Sequence, residues 1–76
     1  MAEKAFVLIE TLVGRNKEVV TALMQLEGVT SVNSVTGPYD VIATVEGDNL
    51  NFIGDLVTIK IHPIAGISRT VTCLAI

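Results

Sequence analysis

Residues 29–47 read VTSVNSVTGPYDVIATVEG, two β-rich runs on either side of a Gly37-Pro38 pair. Valine, isoleucine and threonine suit half-buried strands. Proline presets its φ and glycine tolerates positive φ, so the pair is good hairpin-turn chemistry. The stretch predicts a second strand over Val29 to Thr36 and a third over Tyr39 to Glu46. On the third, Tyr39, Val41, Ala43 and Val45 share one face, and Asp40, Ile42, Thr44 and Glu46 share the other. Asp40 stands where that strand begins. A carboxylate there is either a solvated edge residue or one wall of a binding site.

Working outward, Lys4 to Leu12 reads KAFVLIETL. Phe6, Val7, Leu8 and Ile9 are apolar on both alternating faces, so this first strand is expected to be buried on both sides. Asn16 is placed to cap a helix over Lys17 to Glu27, with Val20, Leu23, Met24 and Glu27 at helical spacing and Val19 and Leu26 beside the stripe. Gly28 ends it. Past Gly47, Asp48 or Asn49 caps a second helix over Leu50 to Ile61, with Ile53, Leu56, Val57 and Ile61 on one side. Pro63 and Gly66 stop it, and Ile67 to Ile76 (ISRTVTCLAI) forms the last strand.

The order is β-α-β-β-α-β. It predicts a ferredoxin-like α+β sandwich: an antiparallel four-stranded sheet with two helices on one face. One small domain, residues 1–76, accommodates all of it. Half the residues are hydrophobic, at 50%, and the mean hydropathy is +0.62. That is more apolar surface than so short a chain can hide. The sheet face without helices is the place left for it, so a sheet-to-sheet homodimer is expected.

Composition also excludes. No run approaches ~18 consecutive apolar residues, so no spanning helix is expected. Ala5 to Ile9 is too short for a signal-peptide core, and a cytoplasmic location follows. The net charge is −3, and Lys4, Arg15, Lys17, Lys60 and Arg69 form no basic stripe. Direct nucleic-acid contact needs one. Neither metal cluster nor nucleotide loop is legible, so no cofactor is expected.

Four positions offer chemistry. His62, the sole histidine, precedes Pro63 at a helix end. It is a general base on one reading and a donor to the last helix carbonyls on the other. Cys73 is a thiol without an apparent basic partner, and reads equally as a small buried apolar residue. Ser68, Thr70 and Thr72 alternate, which places three hydroxyls on one sheet face. They are either ordinary strand formers or a row of donors for a carboxylate or amide. Asp40 can accept an ammonium group while backbone N–H groups near Gly37 take an anion, which together match the zwitterion of a free amino acid.

The combination of VTGPYDVIATVEG with IAGISRTVTCLAI about twenty residues later resembles the C-terminal effector domain of the Lrp/AsnC family of transcription regulators, the RAM domain. The resemblance covers essentially the whole chain and implies a non-enzymatic, amino-acid-binding module. It implies sheet-to-sheet dimers that assemble into rings such as octamers or decamers, with effectors in clefts between dimers. Carried to matching positions, Gly37, Tyr39 and Asp40 handle the ligand's amino and carboxylate ends, while Thr70, Thr72 and Cys73 of a neighbouring subunit line the opposing wall. Two features depart from the family. Its helix-turn-helix domain does not precede the first strand, so a stand-alone form is expected, acting alone or with full-length regulators. Pro38 stands where the family often has a polar residue, and it removes one N–H donor. Two other classes share the fold: small dimeric α/β-barrel enzymes of monooxygenase or isomerase type, using His62 or Asp40, and ACT-like regulatory domains.

Overall fold

The computed structural model describes residues 2–76. The chain runs β1 (Glu3–Thr11), α1 (Asn16–Met24), β2 (Val29–Ser34), β3 (Val41–Gly47), α2 (Leu50–Asp55) and β4 (Ile67–Leu74). Between α2 and β4 the helix continues as a π-helical turn over Leu56–Ile61. All strand pairs are antiparallel, in the order β2-β3-β1-β4. This is the ferredoxin-like architecture that the element order predicts.

The core lies on one side of the sheet. Ala5, Val7 and Ile9 of β1 and Val41, Ala43 and Val45 of β3 are fully buried there. Val19 and Leu23 of α1 cover them, together with Ile53, Leu56, Val57 and Ile61 of the second helix. No buried residue of the described chain is polar or charged. Such a layer gains roughly 25 cal/mol for each Å² of apolar surface removed from water.

Two local outcomes differ from the expectations, and one agrees. Helix α1 ends at Met24, not Glu27. Gln25 and Leu26 donate to carbonyls three residues back, at 3.2 and 3.1 Å, which tightens the last turn and folds Leu26 onto the core. Asn16 does not cap that helix. Arg15 holds the cap position, without a side-chain cap bond, and its guanidinium pairs with Glu18. The second helix is capped by Asn49, whose Oδ1 accepts from Phe52 N–H at 2.8 Å.

The second half of that helix is a π turn, in which His62 N–H bonds Val57 O at 2.9 Å. Ile61, four residues after Val57 on the expected apolar side, is fully buried while Lys60 stays exposed.

The register defines the other sheet face row by row. Glu46 lies opposite Lys4; Thr44, Phe6 and Cys73 form the next row; Ile42, Leu8 and Val71 follow; Glu10 and Arg69 close it. Phe6, Leu8, Ile42 and Val71 are half-buried. No helix of the chain packs here, so β1 is buried on one side only within a single chain.

Candidate ligand-binding site

One end of the sheet gathers most of the candidate residues. Ile9 of β1 pairs with Val41 on one flank and with Thr70 on the other. Residues 35–40 close above β3 through Val35 N–H to Asp40 O at 2.9 Å. Asp40 N–H donates to Ile9 O at 2.9 Å, so pairing with β1 continues one residue beyond β3.

Asp40 is half-buried. Its Oδ2 accepts from the Thr11 backbone N–H at 2.8 Å and from the Thr11 hydroxyl at 3.3 Å. Thr11 N–H points to the β3 side of β1, as Ile9 O does, and β3 pairing has ended there, so this backbone donor must find its acceptor in a side chain. The carboxylate thus pins the end of β1, and Oδ1 remains for another donor. Asn16 supports the same loop. Its Nδ2 donates to Asp40 O at 3.4 Å, and its Oδ1 accepts from the Ser34 hydroxyl at 3.0 Å.

Gly37 lies at the exposed loop tip with φ +150, and a methyl group added there would meet nothing within 4 Å. The adjoining Tyr39 is half-buried. The Arg69 guanidinium stands 5.8 Å from its ring centroid and 3.9 Å from Glu10 Oε2. Arg69 therefore joins the loop to the start of β4. Sequence reasoning passed over it as one of five scattered cations. The signal that finds it is the pairing register, which sets it across from Glu10.

The residues of β4 divide between the two faces. Thr70 pairs with Ile9 and Thr72 with Val7, so both hydroxyls lie on the helix side. Ser68 alternates with them, and its hydroxyl donates to Glu10 O at 3.0 Å. Cys73 pairs with Phe6 and lies on the open face, where it is exposed. The buried apolar environment expected for that thiol is therefore absent within a single chain. The three β4 candidates do not form one wall of one chain; Cys73 looks outward beside Phe6. His62 was expected at the helix end. Its Nε2 lies 2.9 Å from Thr70 Oγ1, a pairing that spacing alone does not reveal.

Two cavities matter for comparison. A shallow one of about 230 Å³ is lined by His62, Ile67, Ser68, Arg69 and Thr70. A larger one, about 550 Å³, lies between the end of α1 and the second helix, beside Leu26, Phe52, Leu56 and Ile59. It contains none of the candidate residues.

Fold and site together define a small regulatory-type domain: a ferredoxin-like sandwich with an apolar core and polar groups collected at one sheet end. The chain belongs to the Lrp/AsnC ligand binding domain family, whose profile matches residues 4–76. It is 32% identical over 59 residues to an uncharacterized HTH-type transcriptional regulator of Pyrococcus furiosus, covering 78% of this chain and 39% of that protein. The chain thus spans about two fifths of the length of that relative. Among solved structures, TTHA0845 of Thermus thermophilus superposes with a TM-score of 0.93 at 39% identity, covering 97% of this chain and 92% of the other. A transcriptional regulator of Neisseria meningitidis, solved as an L-Met complex, superposes with a TM-score of 0.87 over 97% of this chain and 49% of the other. At 14% identity it speaks for the fold alone.

Proposed function

We propose that this chain is a non-enzymatic effector-binding and assembly module that takes a free amino acid and serves the regulation of transcription or of amino-acid metabolism. It acts in the cytoplasm, alone or by co-assembly with full-length Lrp/AsnC regulators. The observation that carries the reading is the convergence at one sheet end. There Asp40 keeps one carboxylate oxygen for an ammonium group, beside the open Gly37 loop and Tyr39. Thr70 and Thr72 of β4 supply hydroxyls for the opposing wall, and Cys73 borders it from the other sheet face.

Asp40 and the two threonines belong to different faces of one chain, so a complete cleft needs a second copy. The half-buried Phe6, Leu8, Ile42 and Val71 supply the contact for a homodimer through the open sheet faces. Dimers then assemble into an octamer or decamer, with the amino acid between them. The fold neighbour solved with L-Met makes a free amino acid the first ligand class to try.

The enzyme reading needs a titratable group in a closed cavity between sheet and helices. That space is filled by apolar side chains, and the described core holds no polar one. Calorimetric titration with the common amino acids, run beside native mass spectrometry, tests the proposal. Binding of at least one of them, weakened tenfold or more by Asp40→Ala and accompanied by a change in assembly, is expected. Silence across the whole panel with unchanged assembly removes the sensor role.

A further inference from the structure

His62 was set aside by sequence as a helix-end donor. The structure gives it a different occupation. A π turn covers Leu56–Ile61, and His62 is the residue immediately after it. Its ring reaches across to β4 and meets Thr70 at 2.9 Å. Neither group is buried beyond reach of solvent: His62 is exposed and Thr70 half-buried. They line the same cavity of about 230 Å³, together with Ile67, Ser68 and Arg69.

The lining is biased in one chemical direction. It contains an imidazole and two hydroxyls, with Arg69 contributing from the strand while its guanidinium lies by Tyr39 and Glu10, and no carboxylate. The one acid across the strand pair, Glu10, lies beside Arg69 and across from it in register. Arg69 and Glu10 pair on the open face, so on the helix side of β4 the titratable group of the lining is His62 itself.

The hydrogen bond itself sets what the Thr70 hydroxyl can offer. A threonine hydroxyl has one hydrogen and two lone pairs. When His62 Nε2 carries a proton, it donates to Thr70 Oγ1, and the hydroxyl hydrogen is free to point into the cavity. When Nε2 is bare, the hydroxyl must donate to it, and the cavity sees only lone pairs. A charged imidazole has both ring nitrogens protonated, so it fixes the first arrangement and adds a positive charge.

We propose that His62 and Thr70 form a carboxylate-binding subsite on the helix side of β4, the part of the effector site that holds the ligand's carboxylate. This rests on the reading of Thr70 as a ligand contact given above, and it adds His62 as the residue that orients the hydroxyl and sets its donor direction. The ammonium end is then left to Asp40 of another copy, which suits an acid whose Oδ1 is unengaged.

The single histidine makes the test direct. In the ¹⁵N-labelled full chain, the His62 ring and Thr70 amide signals are followed during titration with sodium acetate at constant ionic strength and pH. Parallel titrations use sodium sulfate, inorganic phosphate and methylammonium chloride. Saturable acetate shifts at both residues are expected. Thr70→Val and His62→Phe weaken the binding at least tenfold, while Thr70→Ser restores it. Shifts that do not saturate, or that Thr70→Val retains, overturn the subsite. Tighter binding of sulfate or phosphate overturns the carboxylate assignment, and unchanged acetate affinity at Thr70 in His62→Phe overturns the role of His62. The acetate readout needs no amino acid to bind. A saturating acetate response beside a silent amino-acid panel therefore keeps the subsite and removes the effector reading, and the reverse outcome does the opposite.

Discussion

Leu8 and Ile9 are neighbours in sequence and lie on opposite faces of one strand. Ile9 is fully buried under the helices, while Leu8 sits half-buried between Ile42 and Val71 on the open face. The same kind of side chain thus serves two purposes one residue apart. The helix-covered face folds the chain. The open face has comparable apolar content without a layer of its own to cover it, and charged pairs confine it at both ends. The contrast teaches that hydrophobic content alone does not say whether a strand stabilises a monomer or a contact between copies.

The sharpest way to break that contrast is to truncate both residues. Ile9→Ala leaves a cavity in a layer that cannot collapse easily, and about 2–5 kcal/mol of unfolding free energy should be lost. Chemical denaturation measures it, and the loss should not depend on protein concentration. Leu8→Ala should cost less in dilute solution. Its effect should grow with concentration if the open face joins two copies, since binding to the folded state adds stability by mass action. Equal, concentration-independent losses at the two positions would mean that the faces are not different in kind.

Next in size is Gly66, where β4 begins against α1. Its φ is +99, and an added Cβ would lie 2.9 Å from Arg15 Cβ and 3.0 Å from Val19 Cγ2. The left-handed conformation alone costs an L-residue roughly 1–2 kcal/mol. Gly66→Ala should therefore lower the melting temperature, with the larger share of the loss in the helix-covered face. Gly37→Ala is the control. It has positive φ but open space, so only the backbone penalty applies.

Asp40 separates anchoring from recognition. Asp40→Ala leaves the Thr11 N–H without its acceptor, and about 1–3 kcal/mol of stability is expected to go with it. Asp40→Asn retains an oxygen for that donor and should cost less, yet it removes the charge that an ammonium group would meet. A variant as stable as the parent with weakened amino-acid affinity supports recognition. Equal losses of stability in both variants, with affinity unchanged, reduce Asp40 to an anchor.

Fold and site differed in how far the sequence exposed them, and the reason is range. The hairpin, the element order and the core faces follow from local period and from turn residues, which are visible within a dozen positions. The partners of the functional groups are not local. Thr11 is 29 residues from Asp40 and Ser34 is 18 from Asn16. Asp40 could be singled out as an acid beside a turn, but its engagement with Thr11 depends on β1 running past the start of β3, which no local pattern announces. His62 meets Thr70 across the turn from the helix end to β4, a contact that no local period announces. Alternation correctly grouped Ser68, Thr70 and Thr72, and the same rule assigns Cys73 to the opposite face.

The smallest expected effect lies at the charged end of the open face. Glu10 and Arg69 approach to 3.9 Å with side chains 42% and 61% exposed. Solvent-exposed pairs of this kind contribute only about 0–1 kcal/mol, so Glu10→Gln should leave the denaturation midpoint almost unchanged. Its consequence belongs to the site. Without the carboxylate, Arg69 is held only by the ring of Tyr39 and its charge is less compensated. If the sheet end receives a carboxylate-bearing ligand, Glu10→Gln should tighten acetate binding at His62 and Thr70, and added salt should erase most of the gain because exposed charges are screened. A marked loss of stability instead would make the pair part of the fold, and would move this end of the open face into the same class as the helix-covered one.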